Sequence, residues 1–372
     1  MQLEVDRGDL HRTRVTDHEA RPLPAGAARL RIDSFALTSN NVTYAAFGDA
    51  LGYWNFFAAA EGSDGTRWGC IPVWGFAEVV ESDVADVAVG RRVYGFWPMA
   101  TELVVEPGRC DARGFHDLAA HRRPMASAYN RYLFVDADPV HDADREAQHM
   151  VLWPLFFTSF LIDDFLGDAG CFGATTVIVS SASSKTAIAA AWLLAERDGV
   201  RVVGLTSQRN REFVASLGCY DVAATYDEVA TLAETDAVFI DVAGNADVRG
   251  AVHARFGDRL RSSMIVGGTH WNHEAVSVAP PVGPRPQFFF APAQSAKRTQ
   301  DWGQARLDER VGAAWRRFSR WTDGWLHFDT ASGFAAVERA YLDHLDGRLD
   351  PRTASVCTLR RASGFAVASE PG

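Results

Sequence analysis

From residue 176 onward the chain alternates short β-branched runs with helical stretches, and few folds accommodate that rhythm. Val177-Ile178-Val179 reads as a buried strand, 184–196 as an alanine-rich helix, 201–205 as a second strand, and 210–217 as a second helix stopped by Gly218. Further strands follow at 237–242 and 263–266. Strands alternating with helices of roughly 10–15 residues imply βαβ units and a parallel sheet. Their β-branched, nearly all-apolar composition predicts strands covered on both faces. The expected fold class is α/β, with a doubly wound parallel sheet.

The first part of the chain has another texture. Short β-rich runs recur at 28–35, 75–81, 92–96 and 101–105, separated by Gly, Pro and Asp. Gly90 before Arg91-Arg92-Val93 predicts a tight turn into a strand. Trp54, Phe56, Phe57, Trp68, Trp74 and Trp97 crowd this part, as core or as the wall of a cleft. Residues 106–145 show weak periodicity and are expected to connect, with some helix; a helical pattern then runs over 144–165. Residues 275–300 are Pro-rich and expected to be irregular, before an amphipathic helix at 307–321. The C-terminus returns to strand, helix and strand at 325–328, 331–344 and 355–359. β-rich ends around an alternating middle predict two domains, 1–150 with 321–372 and an inserted 151–320.

Composition removes several classes. Of 372 residues 47% are hydrophobic and 23% charged, enough for a sizeable core and too apolar for a disordered chain. The most apolar stretch, 151–166, is interrupted by Asp163 and Asp164, read here as a solvated face. No run reaches the roughly 18–20 residues of a membrane span. The N-terminal MQLEVDRGDL carries acids where a signal peptide would be basic. A cytoplasmic location without a membrane partner is expected. The net charge of −10 repels a phosphate backbone, so nucleic acid is not an expected partner. Cys70, Cys110, Cys171, Cys219 and Cys357 are odd in number and widely spaced, which predicts free thiols rather than disulfides or a zinc knuckle. Basic charge is almost all arginine, with lysine only at 185 and 297.

Open parallel sheets bind ligands at the carboxyl ends of their strands. The first such turn reads Ser180-Ser181-Ala182-Ser183-Ser184-Lys185-Thr186-Ala187, without the glycines that let a backbone approach a pyrophosphate. Two readings stay open. Ser181, Ser183, Ser184, Lys185 and Thr186 hold a phosphate with hydroxyls, helix-start N–H groups and one ammonium, or the serines only cap a helix. After the second strand come Ser207, Arg209 and Arg211, with no acid before Glu212. If a nucleotide is bound, that set favours the 2′-phosphate of NADP over NAD.

At this point the chain resembles the medium-chain dehydrogenase/reductases, of the zinc-free quinone and enoyl reductase type. The resemblance rests on 36–44, Ile71-Pro72-Val73-Trp74-Gly75-Phe76-Ala77-Glu78, Val89-Gly90-Arg91-Arg92-Val93, Ser216-Leu217-Gly218 with Tyr226 after it, and 236–244. It resembles a bacterial family of unknown function within that superfamily. It implies a GroES-like β-rich catalytic domain and a Rossmann domain. It adds Tyr226, Gly244 and His270 to the cofactor side, His270 at the nicotinamide half. Trp74 and Gly75 stand where zinc-dependent members have His and Glu, which implies no catalytic zinc.

Hydride addition to an activated C=C puts negative charge on a carbonyl oxygen and then needs a proton at the α-carbon. Asn41, Thr43, Tyr44 and Tyr53 supply amide and hydroxyl groups close together in sequence. By resemblance Thr43 falls at the alcohol dehydrogenases' proton-relay position, and Tyr53 near the enoyl reductases' tyrosine. Each tyrosine is also readable as core. The leading expectation is an NADPH-dependent oxidoreductase acting on a small-molecule enone, quinone or enoyl substrate without zinc. A non-redox lyase or hydratase on the same scaffold, and a binding protein that has lost its cofactor, are the alternatives. A homodimer is one expected assembly.

Overall fold

The computed structural model describes residues 1–17, 21–50, 52–59, 61–62, 64–266 and 282–359. The chain opens with β1 (Gln2–Asp6), β2 (Thr13–Thr16), β3 (Ala28–Leu37), α1 (Ser39–Ala46), β4 (Trp68–Gly69), β5 (Pro72–Ser82), β6 (Arg92–Pro98) and β7 (Glu102–Val105). It continues through β8 (Pro107–Asp111), β9 (Gly114–Asp117), α2 (Ser127–Asn130), β10 (Arg131–Phe134) and α3 (Glu146–Asp168). Then follow β11 (Thr176–Val179), α4 (Lys185–Leu194), β12 (Arg201–Thr206), α5 (Arg211–Ser216), β13 (Val222–Thr225), β14 (Ala237–Asp241), α6 (Ala246–Phe256) and β15 (Leu260–Ile265). The last elements are β16 (Gln287–Phe288), α7 (Ala291–Trp302), α8 (Gln304–Trp321), β17 (His327–Ser332), α9 (Phe334–Leu345) and β18 (Thr353–Thr358). The chain divides into two compact units, Met1–Val151 with Leu326–Gly372, and Leu152–Trp325.

The first unit is β-rich. A small sheet runs β2-β1-β4, and a nine-stranded sheet runs β17-β18-β3-β5-β6-β10-β9-β8 with β7 beside β3. Among the described residues only β17 and β18 pair parallel in it; β18 joins β3 antiparallel through Ser355 opposite Leu37. Register sets Trp74 opposite Phe96 and Phe76 opposite Tyr94, so alternation gathers four aromatic rings on one face of β5 and β6. β3 lies beside β5 in the same sheet, with Phe35 opposite Gly75. A Cβ on Gly75 would lie 2.1 Å from the Ser34 carbonyl oxygen, so only glycine permits that approach. Phe35, Trp97, Phe115, Tyr132 and Phe134 are fully buried in this unit's core.

Residues 106–145, expected as a connector with some helix, hold the short helix α2 but also three strands, β8, β9 and β10. The strands are short and irregular: Arg109 adopts φ 48°, and register shifts between Gly108 and Asp111. Such a bulge breaks the alternation that marks a strand.

The second unit is a six-stranded parallel sheet ordered β13-β12-β11-β14-β15-β16. The chain proceeds outward from β11 to β13, then returns to β14 and proceeds the other way. The order therefore reverses between β11 and β14, the position where open sheets form a ligand crevice. Ile178, Leu205, Phe239 and Val252 are buried together in its core. α8 buries Leu307, Val311, Trp315 and Phe318, a helical stripe. Phe318 stacks on Phe156 of α3 with centroids 4.9 Å apart.

Two expectations are corrected here. Within the Pro-rich segment, 291–302 forms α7, with proline in its first turn where no N–H is needed. Asp163 and Asp164 are not a solvated face. Arg197 donates to Asp163 at 2.9 Å and Arg298 to Asp164 at 2.6 Å, and the carboxylates are 15% and 11% exposed. Ala143–Asp168 is the one helix among the described residues long and apolar enough, by length and composition, to cross a membrane; half of that window is buried inside the fold.

Candidate functional site

In the first unit, Thr38 caps α1 and brings Tyr44 to the aromatic face of β5 and β6. Its hydroxyl accepts the Asn40 N–H at 3.3 Å. Asn41 answers by accepting the Thr38 N–H at 2.8 Å and donating to the Pro72 carbonyl at 2.8 Å. The Asn41 amide thus fixes α1 to β5 and is buried, which makes it a positioning group rather than a ligand contact. Thr43 also departs from expectation: its hydroxyl donates back to the Ser39 carbonyl of its own helix at 3.4 Å.

The two tyrosines do meet. Tyr44 and Tyr53 lie ring to ring with centroids 4.3 Å apart. Gly52, at φ 73°, turns the chain into the short 3-10 segment that carries Tyr53. A third tyrosine completes the group. The Tyr129 hydroxyl is 3.1 Å from that of Tyr53, and the Tyr44 hydroxyl also reaches it. Burial raises all three phenol pKa values; the Tyr129 charge raises those of Tyr44 and Tyr53 further, while hydroxyls turned toward Tyr129 hold its rise back. At neutral pH the cluster keeps its protons and offers O–H donors. Trp74 Nε1 is close enough to Tyr44 to pull that phenol's pKa down, yet meets no hydrogen-bond geometry.

Fully buried Arg122 holds Tyr129 in place. It donates to the Tyr129 carbonyl at 2.8 Å and to Asn130 Oδ1 at 2.9 Å, and lies about 5 Å from the ring centroids of Phe56 and Phe57. Tyr129 and Arg122 escaped sequence reading because their segment lacks periodicity. A polar arginine and a tyrosine seven residues apart carry no local signal.

In the second unit, the first βα turn stands at the reversal of strand order. Ser181 adopts φ 52°, the left-handed conformation usually left to glycine. The glycine that close packing requires is on the neighbouring strand instead: a Cβ on Gly204 would meet the Ala182 Cβ at 2.9 Å and the Tyr220 ring at 2.7 Å. Ser184 is the N-cap of α4, accepting the Ala187 N–H at 3.3 Å. Ser183 accepts from Asn210 at 3.0 Å. Lys185 and Thr186 open α4 and are half-buried. The Tyr226 hydroxyl takes the Ser181 N–H, which lowers a phenol pKa that burial otherwise raises.

Two long-range pairs at these strand ends were not legible. Buried Ser180 donates to Asp241 at 2.9 Å and accepts the Val242 and Ala243 N–H groups. Asp241 also accepts from Gly244 N at 2.9 Å and Arg249 at 2.8 Å, so Gly244, at φ 69°, is fixed by its strand end. Arg211, expected on a 2′-phosphate, pairs with Glu228 at 3.0 Å. The acid missing from the second strand's end therefore arrives from the segment after β13. Ser207 and Arg209 are exposed beside it. His270 lies outside the described residues.

The start of α4 fits a pyrophosphate: a left-handed turn residue, capping hydroxyls and a lysine surround a helix N-terminus. Of the residues expected at a 2′-phosphate, Ser207 and Arg209 are exposed and Arg211 is engaged by Glu228. Among the described residues, no group of three or more His, Cys, Asp or Glu is placed to hold a metal ion.

The fold is similar to that of several solved enzymes. CurA from Vibrio vulnificus, solved with NADPH, is 13% identical, with 97% of this chain and 99% of that chain covered and a TM-score of 0.56. The yhdH oxidoreductase from Salmonella enterica, solved with NADP, is 17% identical over 96% and 99% of the chains, TM-score 0.53. The quinone oxidoreductase from Coxiella burnetii is 15% identical over 96% and 99%, TM-score 0.55. At such identities the shared property is the fold. No curated protein matches the sequence. A family model described as protein of unknown function (DUF2855) matches residues 35–350. The chain thus has the medium-chain dehydrogenase/reductase fold, GroES-like and Rossmann parts together, and belongs to the DUF2855 family.

Proposed function

We propose that this protein is an NADPH-dependent reductase that adds hydride to the activated C=C of a small enone, quinone or enoyl compound without zinc. The observation that carries the reading is the cluster of buried Tyr44 with half-buried Tyr53 and Tyr129, three protonated donors walled by aromatic rings. The NADPH complexes of structural neighbours support it by analogy of fold.

NADPH, when bound, supplies the hydride. Ser183, Ser184 and Lys185 would hold its pyrophosphate, and Ser207 and Arg209 its 2′-phosphate. The substrate's carbonyl oxygen accepts from the Tyr53 or Tyr44 hydroxyl. Negative charge grows on that oxygen as the C=C is reduced, and O–H donors already aimed in a water-poor site stabilise it. A tyrosine hydroxyl then gives its proton to the α-carbon, and the net proton comes from solvent, Tyr129 passing it to Tyr53 across their 3.1 Å contact.

A second reading, a binding protein without cofactor, is favoured by one observation. The Ser181 N–H and Arg211, both placed where phosphates would lie, already have partners in Tyr226 and Glu228. Thermal-shift titration with NADPH and NADH separates the two. The reductase binds NADPH at least about tenfold more tightly than NADH. Glu228→Gln keeps the carboxamide's acceptor for the Thr225 N–H but releases Arg211, so NADPH affinity rises roughly tenfold while NADH affinity stays. No shift with either nucleotide selects the cofactor-free protein. An unchanged NADPH affinity in Glu228→Gln removes Arg211 from the site.

A further inference from the structure

The face of β5 and β6 that meets the phenol cluster carries two buried polar atoms without a hydrogen-bond partner, the Tyr94 hydroxyl and Trp74 Nε1. Tyr94 is 3% exposed. Its ring is pinned: Trp74 stacks on it at 5.6 Å and 18°, His149 packs edge-on at 4.4 Å, and Phe76 lies 5.2 Å away. The hydroxyl cannot swing out to water. A phenylalanine would fill the same space without stranding a donor, and stranded buried donors are rare because they are costly. The hydroxyl is therefore matched to something that arrives.

The surroundings define that arrival. Tyr94 lies within electrostatic reach of Tyr44 and of the Asp138 carboxyl, which is 2% exposed and makes further negative charge at this spot unfavourable. The guanidiniums of Arg92 and Arg122 are engaged by Glu146 and by Asn130 with the Tyr129 carbonyl. The walls are flat rings: Trp74, Phe96 and Tyr129, with Trp74 centroids 4.8 and 5.9 Å from the other two. We propose that the Tyr94 hydroxyl, with Trp74 beside it, anchors the carbonyl oxygen of an uncharged, ring-bearing ketone or enone. This narrows the substrate class of the reductase and rests on that reading for the ligand's being a substrate. A carboxylate or phosphate ester is disfavoured here, and the ring stacks where the aromatic walls offer faces.

The test uses the full chain and three probes of similar size: acetophenone, benzoate, in which a carboxylate replaces the acetyl group, and ethylbenzene, which has no acceptor. Ligand-observed NMR titrations give the affinities. In the native chain acetophenone binds about fivefold to tenfold more tightly than ethylbenzene, and benzoate binds more weakly than acetophenone. In Tyr94→Phe, with folding checked by circular dichroism, acetophenone falls to the level of ethylbenzene and ethylbenzene is unchanged. Trp74→Phe lowers acetophenone in the same direction. The proposal is overturned by an acetophenone advantage that survives Tyr94→Phe, by benzoate binding equal to acetophenone, or by no acetophenone binding. NADPH is titrated separately without probes, so loss of the reductase reading leaves the comparison of probes intact.

Discussion

His149 is 1% exposed, set against the rings of Phe76 and Tyr94. Burial first, and the His141 charge second, push its pKa down to about 3. In the unfolded chain the value returns to about 6.5. Between these limits the unfolded state binds a proton that the native state refuses, so stability falls as pH drops below about 6.5 and keeps falling to about 3. The loss from this residue between pH 6.5 and 5 is about 2 kcal/mol. Urea unfolding over that interval measures it, and His149→Phe should flatten the profile; an unchanged slope would show that other groups set it. The residue scale is also where sequence reading was least complete. Tyr44 and Tyr53 were visible because they share a short polar stretch. Tyr129, Tyr94, Glu228 and the Ser180–Asp241 pair were not, because their partners lie 17 to 76 residues away and only sheet register or a crossover brings them together. Asn41 and Thr43 sat in the right stretch, yet helix capping and the helix backbone claim their side chains.

Among elements, the turn between β11 and α4 stores strain at one residue. Ser181 holds φ 52° with a side chain present, which costs on the order of 1 kcal/mol relative to glycine in the same conformation. Ser181→Gly should therefore raise stability by at most about 0.5 kcal/mol once the greater freedom of the unfolded glycine is set against it. Chemical denaturation checks this; a loss instead would mean that the serine side chain makes contacts outweighing the strain. The absent glycines of this turn were legible, but the compensation was not, since Gly204 reads in sequence as an ordinary strand residue. The parallel strands declared themselves through unbroken β-branched runs. β8 to β10 did not, being four or five residues long, with β8 bulged against β9 and none of its residues buried. α7 was hidden by prolines, although a proline in the first turn of a helix is favourable.

For the whole molecule, alternating strands and helices in the middle and β-rich ends were enough to read both sheets, because buried parallel strands and half-exposed antiparallel strands differ in composition. What composition does not reveal is who closes the first sheet. β18 pairs with β3 over Phe35, Ala36 and Leu37, on the edge that β7 leaves open beyond Arg31. A chain ended at Trp325 lacks β17 and β18 and bares that edge with three buried apolar residues. It should be recovered mainly in the insoluble fraction, as measured by sedimentation after expression; a soluble, monomeric product would show that β3 needs no cover. The same pairing sets an order of events on the ribosome. The second unit has its six strands together before residue 290 and can fold as it emerges. The first waits, its sheet edge open, until the segment Thr353–Thr358 leaves the exit tunnel. At roughly 5–20 residues per second that delay lasts some tens of seconds. During it the nascent chain is a client for holding chaperones, and codons that slow translation of the middle of the message lengthen the exposure.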